Sequence, residues 1–171
     1  MFNQKEMSLL QDLKKSEHIC TEKYSKYADQ AQAPQLQNLF QSIAQQEQQH
    51  VQTLEQMIGG NIPSGSSQSG QSQQSGQWQK SGQSQQSQQS QQSSGTQKSS
   101  CYQGKDQAFQ NDSYLCSDAL ATEKHVSADY NTCIFEFKDQ NVRNTLNHIQ
   151  KEEQEHGKMV YDYMSCNGMY S

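Results

Sequence analysis

"EQQH" at residues 47–50 and "EQEH" at 153–156 are one word written twice, a glutamate and a histidine three apart, 106 residues from each other. Three residues is close to one turn of an α-helix, so each pair shares a helix face. The first pair lies on a stripe of Leu36, Leu39, Ile43, Glu47, His50, Leu54 and Met57, alternating three and four apart as a core-facing helix does. A second stripe precedes it: Leu10, Leu13, Glu17, Cys20, Tyr24, Tyr27 and Ala31. "QAP" at 32–34 separates them, because Pro34 biases the residue before it away from helical torsions and suits the first turn of a new helix. "GG" at 59–60 stops the second helix.

Adding 106 to every position reproduces both stripes without a gap. The first becomes Cys116, Ala119, Glu123, Val126, Tyr130, Cys133 and Phe137; the second becomes Val142, Thr145, Ile149, Glu153, His156, Val160 and Tyr163. "DQN" at 139–141 takes the place of the proline turn. The chain therefore reads as a helical hairpin duplicated internally, with helices near 4–31, 35–58, 112–137 and 141–165. A hairpin alone cannot hide its apolar stripe, whereas two can by packing face to face. The predicted fold is all-α: a four-helix bundle of two hairpins, 1–58 and 112–171, joined by a linker over 59–111.

The composition of the 171 residues supports that division. Only 30% are hydrophobic, and these concentrate in the two hairpins, while the intervening tract is almost entirely Gln, Ser and Gly. Such a tract cannot bury enough apolar surface to offset its ordering entropy and is expected to be disordered. It is long enough to cross the bundle lengthwise, or to let a hairpin pair with one from another chain. A net charge of −5 with no basic patch argues against nucleic acid. No apolar run is long enough to insert in a membrane, and the amino terminus lacks the basic-then-apolar layout of a signal peptide, so synthesis and retention in the cytoplasm are expected. The five cysteines form neither a zinc spacing nor an even framework.

Glu17, Glu47, His50, Glu123, Glu153 and His156 all interrupt apolar stripes. In an antiparallel hairpin, residues level with each other are equidistant from the turn. The midpoint of Glu17 and His50 falls between 33 and 34, that of Glu123 and His156 between 139 and 140, both inside the turns. All six can meet in one layer. Four buried carboxylates need either protons or cations among them. One Glu from each of two helices, plus Glu-x-x-His from each of the other two, is the ligand set of ferritin-like di-iron and di-manganese proteins, and two Fe or Mn ions are the expected cofactors. Tyr24 and Tyr130, two turns beyond Glu17 and Glu123, are candidate hydrogen-bond donors to the ligands, although a tyrosine on such a stripe is more often a core residue with its hydroxyl satisfied at the edge. Cys20, Cys116 and Cys133 read as small core residues. His18, His125 and His148 read as surface.

The words "ALATEKHVSADYN" and "NVRNTLNHIQKEEQEHGKMVYDYMSCNGMY" resemble the Coat F domain, a ferritin-like spore coat family, across about 112–170. The first hairpin resembles it as a more diverged copy. Family members tend to end with Gly-Trp-Tyr, where this chain has Gly168, Met169 and Tyr170. The resemblance implies a structural role in the spore coat, assembled from the mother-cell cytoplasm among other coat proteins, and no established catalysis. The tract offers Gln with Lys80, Lys98 and Lys105 for amide cross-links and Tyr102 for tyrosine coupling, while Cys101 and Cys166 can form disulfides on oxidation. The competing reading is an enzyme that handles peroxide, like manganese catalases or rubrerythrins. Among these, the lack of a four-cysteine iron site disfavours the rubrerythrin-like route.

Overall fold

The computed structural model describes residues 1–63, 102 and 104–170. Four helices are present: α1 (Gln4–Gln30), α2 (Pro34–Ile58), α3 (Gln107–Ile134) and α4 (Gln140–Cys166). The tract expected to be disordered, with Lys80, Lys98 and Cys101, lies for the most part outside the described residues.

Each helix end has a local cause. Asn3 and Glu6 close α1 with a reciprocal capping box, each side chain accepting from the other's backbone N–H. Pro34 starts α2, and Gly60, at a φ of 88°, follows its end. Asp106 and Asp139 cap α3 and α4. The helix expected over 112–137 thus runs five residues earlier and ends three earlier. Its start was set by Asp106, whose side chain accepts from Phe109 N at 2.9 Å, not by the first apolar position. At the other end Phe135 caps the helix and is exposed, yet Phe137 is buried. The chain has left the helix by then, and the turn carries Phe137 back against Phe2, ring centroids 6.1 Å apart. Arg143 pins that turn by donating to the carbonyls of Phe137 and Lys138 at 2.8 and 2.7 Å.

The stripes face the core with one adjustment. Tyr27, Leu39, Thr145 and Tyr163 are only half-buried, while Phe40 and Leu146, equivalent under the 106-residue shift, are fully buried. A bundle helix touches two neighbours, so its buried face is wider than a single stripe. Each fully buried Leu, Ile or Phe contributes about 1.5–3 kcal/mol.

Partners across the bundle give the helix directions. Tyr24 of α1 meets Glu123 of α3, and Tyr130 of α3 meets Glu17 of α1, so these helices are antiparallel. His50 meets Glu153 and His156 meets Glu47, so α2 and α4 are antiparallel as well. The α1–α3 seam also holds Asp118, which accepts from Lys23 Nζ at 2.8 Å and from Tyr27 Oη at 2.6 Å. The end of α2 lies beside the amino terminus and the α3–α4 turn, where Gly60 and Ile62 share a cleft with Phe2 and Lys138. The start of α3 lies beside the α1–α2 turn, where Asn111 reaches Gln30. The connection between hairpins therefore begins and ends at opposite ends of helices about 37 Å long. One long crossover is the connectivity of ferritin-like bundles.

Asp112 ties the hairpins together at one end. The α2 N-cap, Ala33, makes no side-chain capping bond of its own. Asp112 supplies it from α3, accepting from Gln32 N at 2.8 Å and Ala33 N at 2.9 Å. Its counterpart under the duplication is Glu6, which instead caps its own helix.

Candidate metal centre

All six stripe-breaking residues are at most 3% exposed. They converge as two groups of four: Glu17, Glu47, His50 and Glu153; and Glu47, Glu123, Glu153 and His156. Glu47 and Glu153 belong to both groups, while Glu17 with His50 and Glu123 with His156 complete one each. In each group one ligand atom per residue lies within 4.8 Å of all the others. Ligands on opposite sides of a single ion, at bonds of about 2.1 Å, stand about 4.2 Å apart, so each group is the size of one coordination shell.

Both histidines turn Nδ1 inward. His50 Nδ1 lies 2.9 Å from Glu153 Oε1, 3.3 Å from Glu47 Oε2 and 3.5 Å from Glu17 Oε2. His156 Nδ1 lies 3.3 Å from Glu47 Oε1 and 3.7 Å from Glu123 Oε2. The donor set fits divalent ions by a second criterion. Glu17 Oε2, Glu47 Oε1, Glu123 Oε2, both oxygens of Glu153 and both nitrogens of His156 are buried and make no well-directed hydrogen bond, although the histidine Nδ1 atoms lie within ion-pair distance of these oxygens. Buried polar atoms are rarely left so, and these belong to residues of the two converging groups. Carboxylates with imidazole suit iron or manganese.

Electrostatics agree. Burial pushes the Glu17 carboxyl up to about 8 and that of Glu153 up to about 9. Glu47 is desolvated as well, yet contacts with His156, His50 and Glu17 hold it down at about 2. Burial opposes charge on both imidazoles, but the surrounding carboxylates win: His50 is driven far upward, Glu152 and Glu153 foremost, and His156 is raised to about 10. Without cations the layer must hold extra protons, and cations would take their place.

The two tyrosines act across the hairpins. Tyr24 Oη donates to Glu123 Oε1, and Tyr130 Oη donates to Glu17 Oε1. Each glutamate thus keeps one oxygen anchored and turns the other, free of hydrogen bonds, inward. Sequence reasoning had not singled out Glu152, whose Oε2 lies 3.1 Å from His50 Nε2. A carboxylate behind a ligand imidazole fixes its orientation and raises its basicity. The position equivalent to Glu152 in the first hairpin is Gln46, so the arrangement exists on one histidine. "KEEQEH" carried the signal, a second acid directly before the ligand Glu153.

The remaining candidates lie elsewhere. Tyr102 is half-buried, its hydroxyl donating to Asp112 and lying 3.3 Å from that of Tyr163. Cys166 is exposed and Cys20, Cys116 and Cys133 are buried, the Cys116 thiol pushed up to about 12 by burial. His18, His125 and His148 are exposed, and Lys105 is exposed with its ammonium 6.0 Å from the Phe109 ring centre. No described helix is long and apolar enough to cross a membrane.

Helix order, duplication and the buried Glu/His layer define a ferritin-like helical fold with a candidate di-metal carboxylate site. Residues 111–171, which contain the second hairpin, match the family model described as Coat F domain. Residues 9–74 match the model described as Rubrerythrin. The first hairpin, expected as a diverged Coat F copy, thus finds its likeness in another ferritin-like family. No curated protein and no solved structure matches the chain.

Proposed function

We propose that this chain is an architectural protein of the spore coat whose bundle is held by two divalent ions, iron or manganese. Glu47 and Glu153, which belong to both groups, would help to hold both ions, while Glu17 with His50 and Glu123 with His156 would each help to hold one. The observation that carries this reading is the pair of four-residue groups sharing two buried glutamates, with one or more oxygens of each glutamate left without a hydrogen bond. The Coat F match supports the location, with other coat proteins as partners. When bound, the ions would supply charge neutralisation and two open-shell centres. The chain's own residues hold the carboxylates in one buried layer and anchor two of them through Tyr24 and Tyr130.

The test is metal content after expression in medium carrying iron and manganese, beside the Glu47→Ala/Glu153→Ala double variant. Two ions per wild-type chain, lost in the variant, are expected. A metal-free wild type that still melts cooperatively as a helical bundle would refute metal binding and leave the coat scaffold alone.

The Rubrerythrin match to the first hairpin favours one second reading, a di-iron or di-manganese centre that handles peroxide. Peroxide turnover by the loaded chain, abolished in the same variant, distinguishes it.

A further inference from the structure

Besides Gln46 and Glu152, the duplication is broken at another place beside the metal layer. Val51 of α2 is 1% exposed. Its equivalent in α4, 106 residues on, is Gly157. A Cβ at Gly157 would stand 3.4 Å from Glu123 Cβ and 3.7 Å from Leu120 Cδ1, so the missing side chain leaves room directly against a proposed ligand. A cavity of about 350 Å³ occupies this place, with Glu123 and Glu153 among its lining residues and Lys124 and Gln154 at its exposed side. The first hairpin differs at the same face. Val51 fills the position of Gly157, and Lys14, standing where Leu120 does, lies over the surface with its ammonium 3.7 Å from Glu55.

We infer that the second hairpin carries the entrance by which small solutes, of the size of water, peroxide or azide, reach the ion held by Glu47, Glu123, Glu153 and His156, while the ion on the Glu17–His50 side is shut off. The inference rests on the metal-binding reading. It makes the two ions chemically unequal although their ligands are duplicated: one faces a solute path, the other a valine. The cavity is small and mostly apolar, and it ends at Glu123 and Glu153, whose unpartnered oxygens lie buried behind it, so only a small solute would pass on to the ion. The Lys124 ammonium at the rim favours a small anion.

The experiment uses the full chain loaded with manganese or ferric iron. Metal stoichiometry, solvent-water proton relaxation on the manganese form and azide binding on the ferric form, read from its absorption band, are measured together. Gly157→Val gives the second hairpin the residue that the first already accommodates; it should keep two ions, lower the water relaxation and weaken azide binding at least about tenfold, equivalent to about 1.4 kcal/mol. Gly157→Ala, whose Cβ fits at ordinary contact distance, should move both readings the same way by less. Val51→Gly should raise water relaxation by opening the second face. Unchanged azide binding and relaxation in a two-ion Gly157→Val chain would overturn the entrance and leave metal binding standing. Loss of an ion in both Gly157 variants would also overturn it, because the residue would then shape the ligand set instead of the path. A wild type without metal would overturn both readings at once.

Discussion

Raising the pH should weaken the metal-free chain and strengthen its grip on metal, two slopes of opposite sign from one set of side chains. Glu17 has a folded-state value raised to about 8 and Glu153 one raised to about 9, against an ordinary carboxyl value of 4.5. Between 4.5 and these values the folded chain keeps protons that the unfolded chain has released, so stability is full below 4.5 and is lost as pH rises through 8 and 9. Each such group contributes a slope of about −1.4 kcal/mol per pH unit, and the two together at most about −2.7. His156, raised to about 10 from 6.5, adds loss of the same sign between those values. Glu47, held at about 2, acts oppositely, its contribution lost only as pH falls from 4.5 towards 2. Metal ions need the carboxylates ionised, so their stabilisation grows over the window in which the metal-free chain declines. At a free ion concentration of about 100 Kd each site adds about 2.7 kcal/mol, hence about 5.4 for two. At about 4 °C per kcal/mol that is roughly 20 °C in Tm. Urea unfolding of the metal-free chain from pH 5 to 9, repeated with manganese, reads both slopes. A metal-free stability that is flat or rises over this range, or a manganese increment equal at pH 5 and pH 8, would refute the reasoning.

Three further outcomes follow from individual contacts. Tyr24→Phe and Tyr130→Phe each remove the donor from a buried carboxylate and should cost about 1–3 kcal/mol in urea unfolding, with manganese affinity lower by about 10–100-fold in titration. Asp112→Ala strips the cap from α2, leaving Gln32 and Ala33 N–H groups unpaired; about 2–4 kcal/mol should be lost and amide exchange should quicken from residue 32 onward. Glu152→Gln should weaken the ion on the His50 side more than its neighbour, and Gln46→Glu should tighten the His156 side, both read by sequential metal titration.

The buried Glu/His layer was legible in the sequence for a reason the helix ends were not. A glutamate in an apolar stripe is a contradiction visible residue by residue, and its recurrence at a constant offset excludes accident. The start of α3 carried no such contradiction, because Asp106 sits in polar surroundings and its capping role depends on the fold of the next turn. Asp112 likewise reads as an ordinary acid near a helix start; its partners, Gln32 and Ala33, are eighty and seventy-nine residues away. The tyrosines stood on the correct stripes, but periodicity within a helix cannot show that each one serves the other hairpin. Gly157 and Val51 occupy the same register, and the difference between them matters only once Glu123 and Leu120 are placed beside the gap.

The exchange of tyrosines between hairpins has a consequence for assembly. No hairpin carries both a capping glutamate and the hydroxyl that anchors it; each half is completed by its opposite. Nothing in those bonds records whether the opposite half belongs to the same polypeptide. Two chains that traded hairpins would rebuild every one of them, and the tether between halves, worth an effective concentration on the order of millimolar, would decide the outcome. In dilute solution that favours closure on itself. In a crowded layer where neighbouring copies exceed that concentration, the same contacts would stitch chain to chain, each seam fastened by metal.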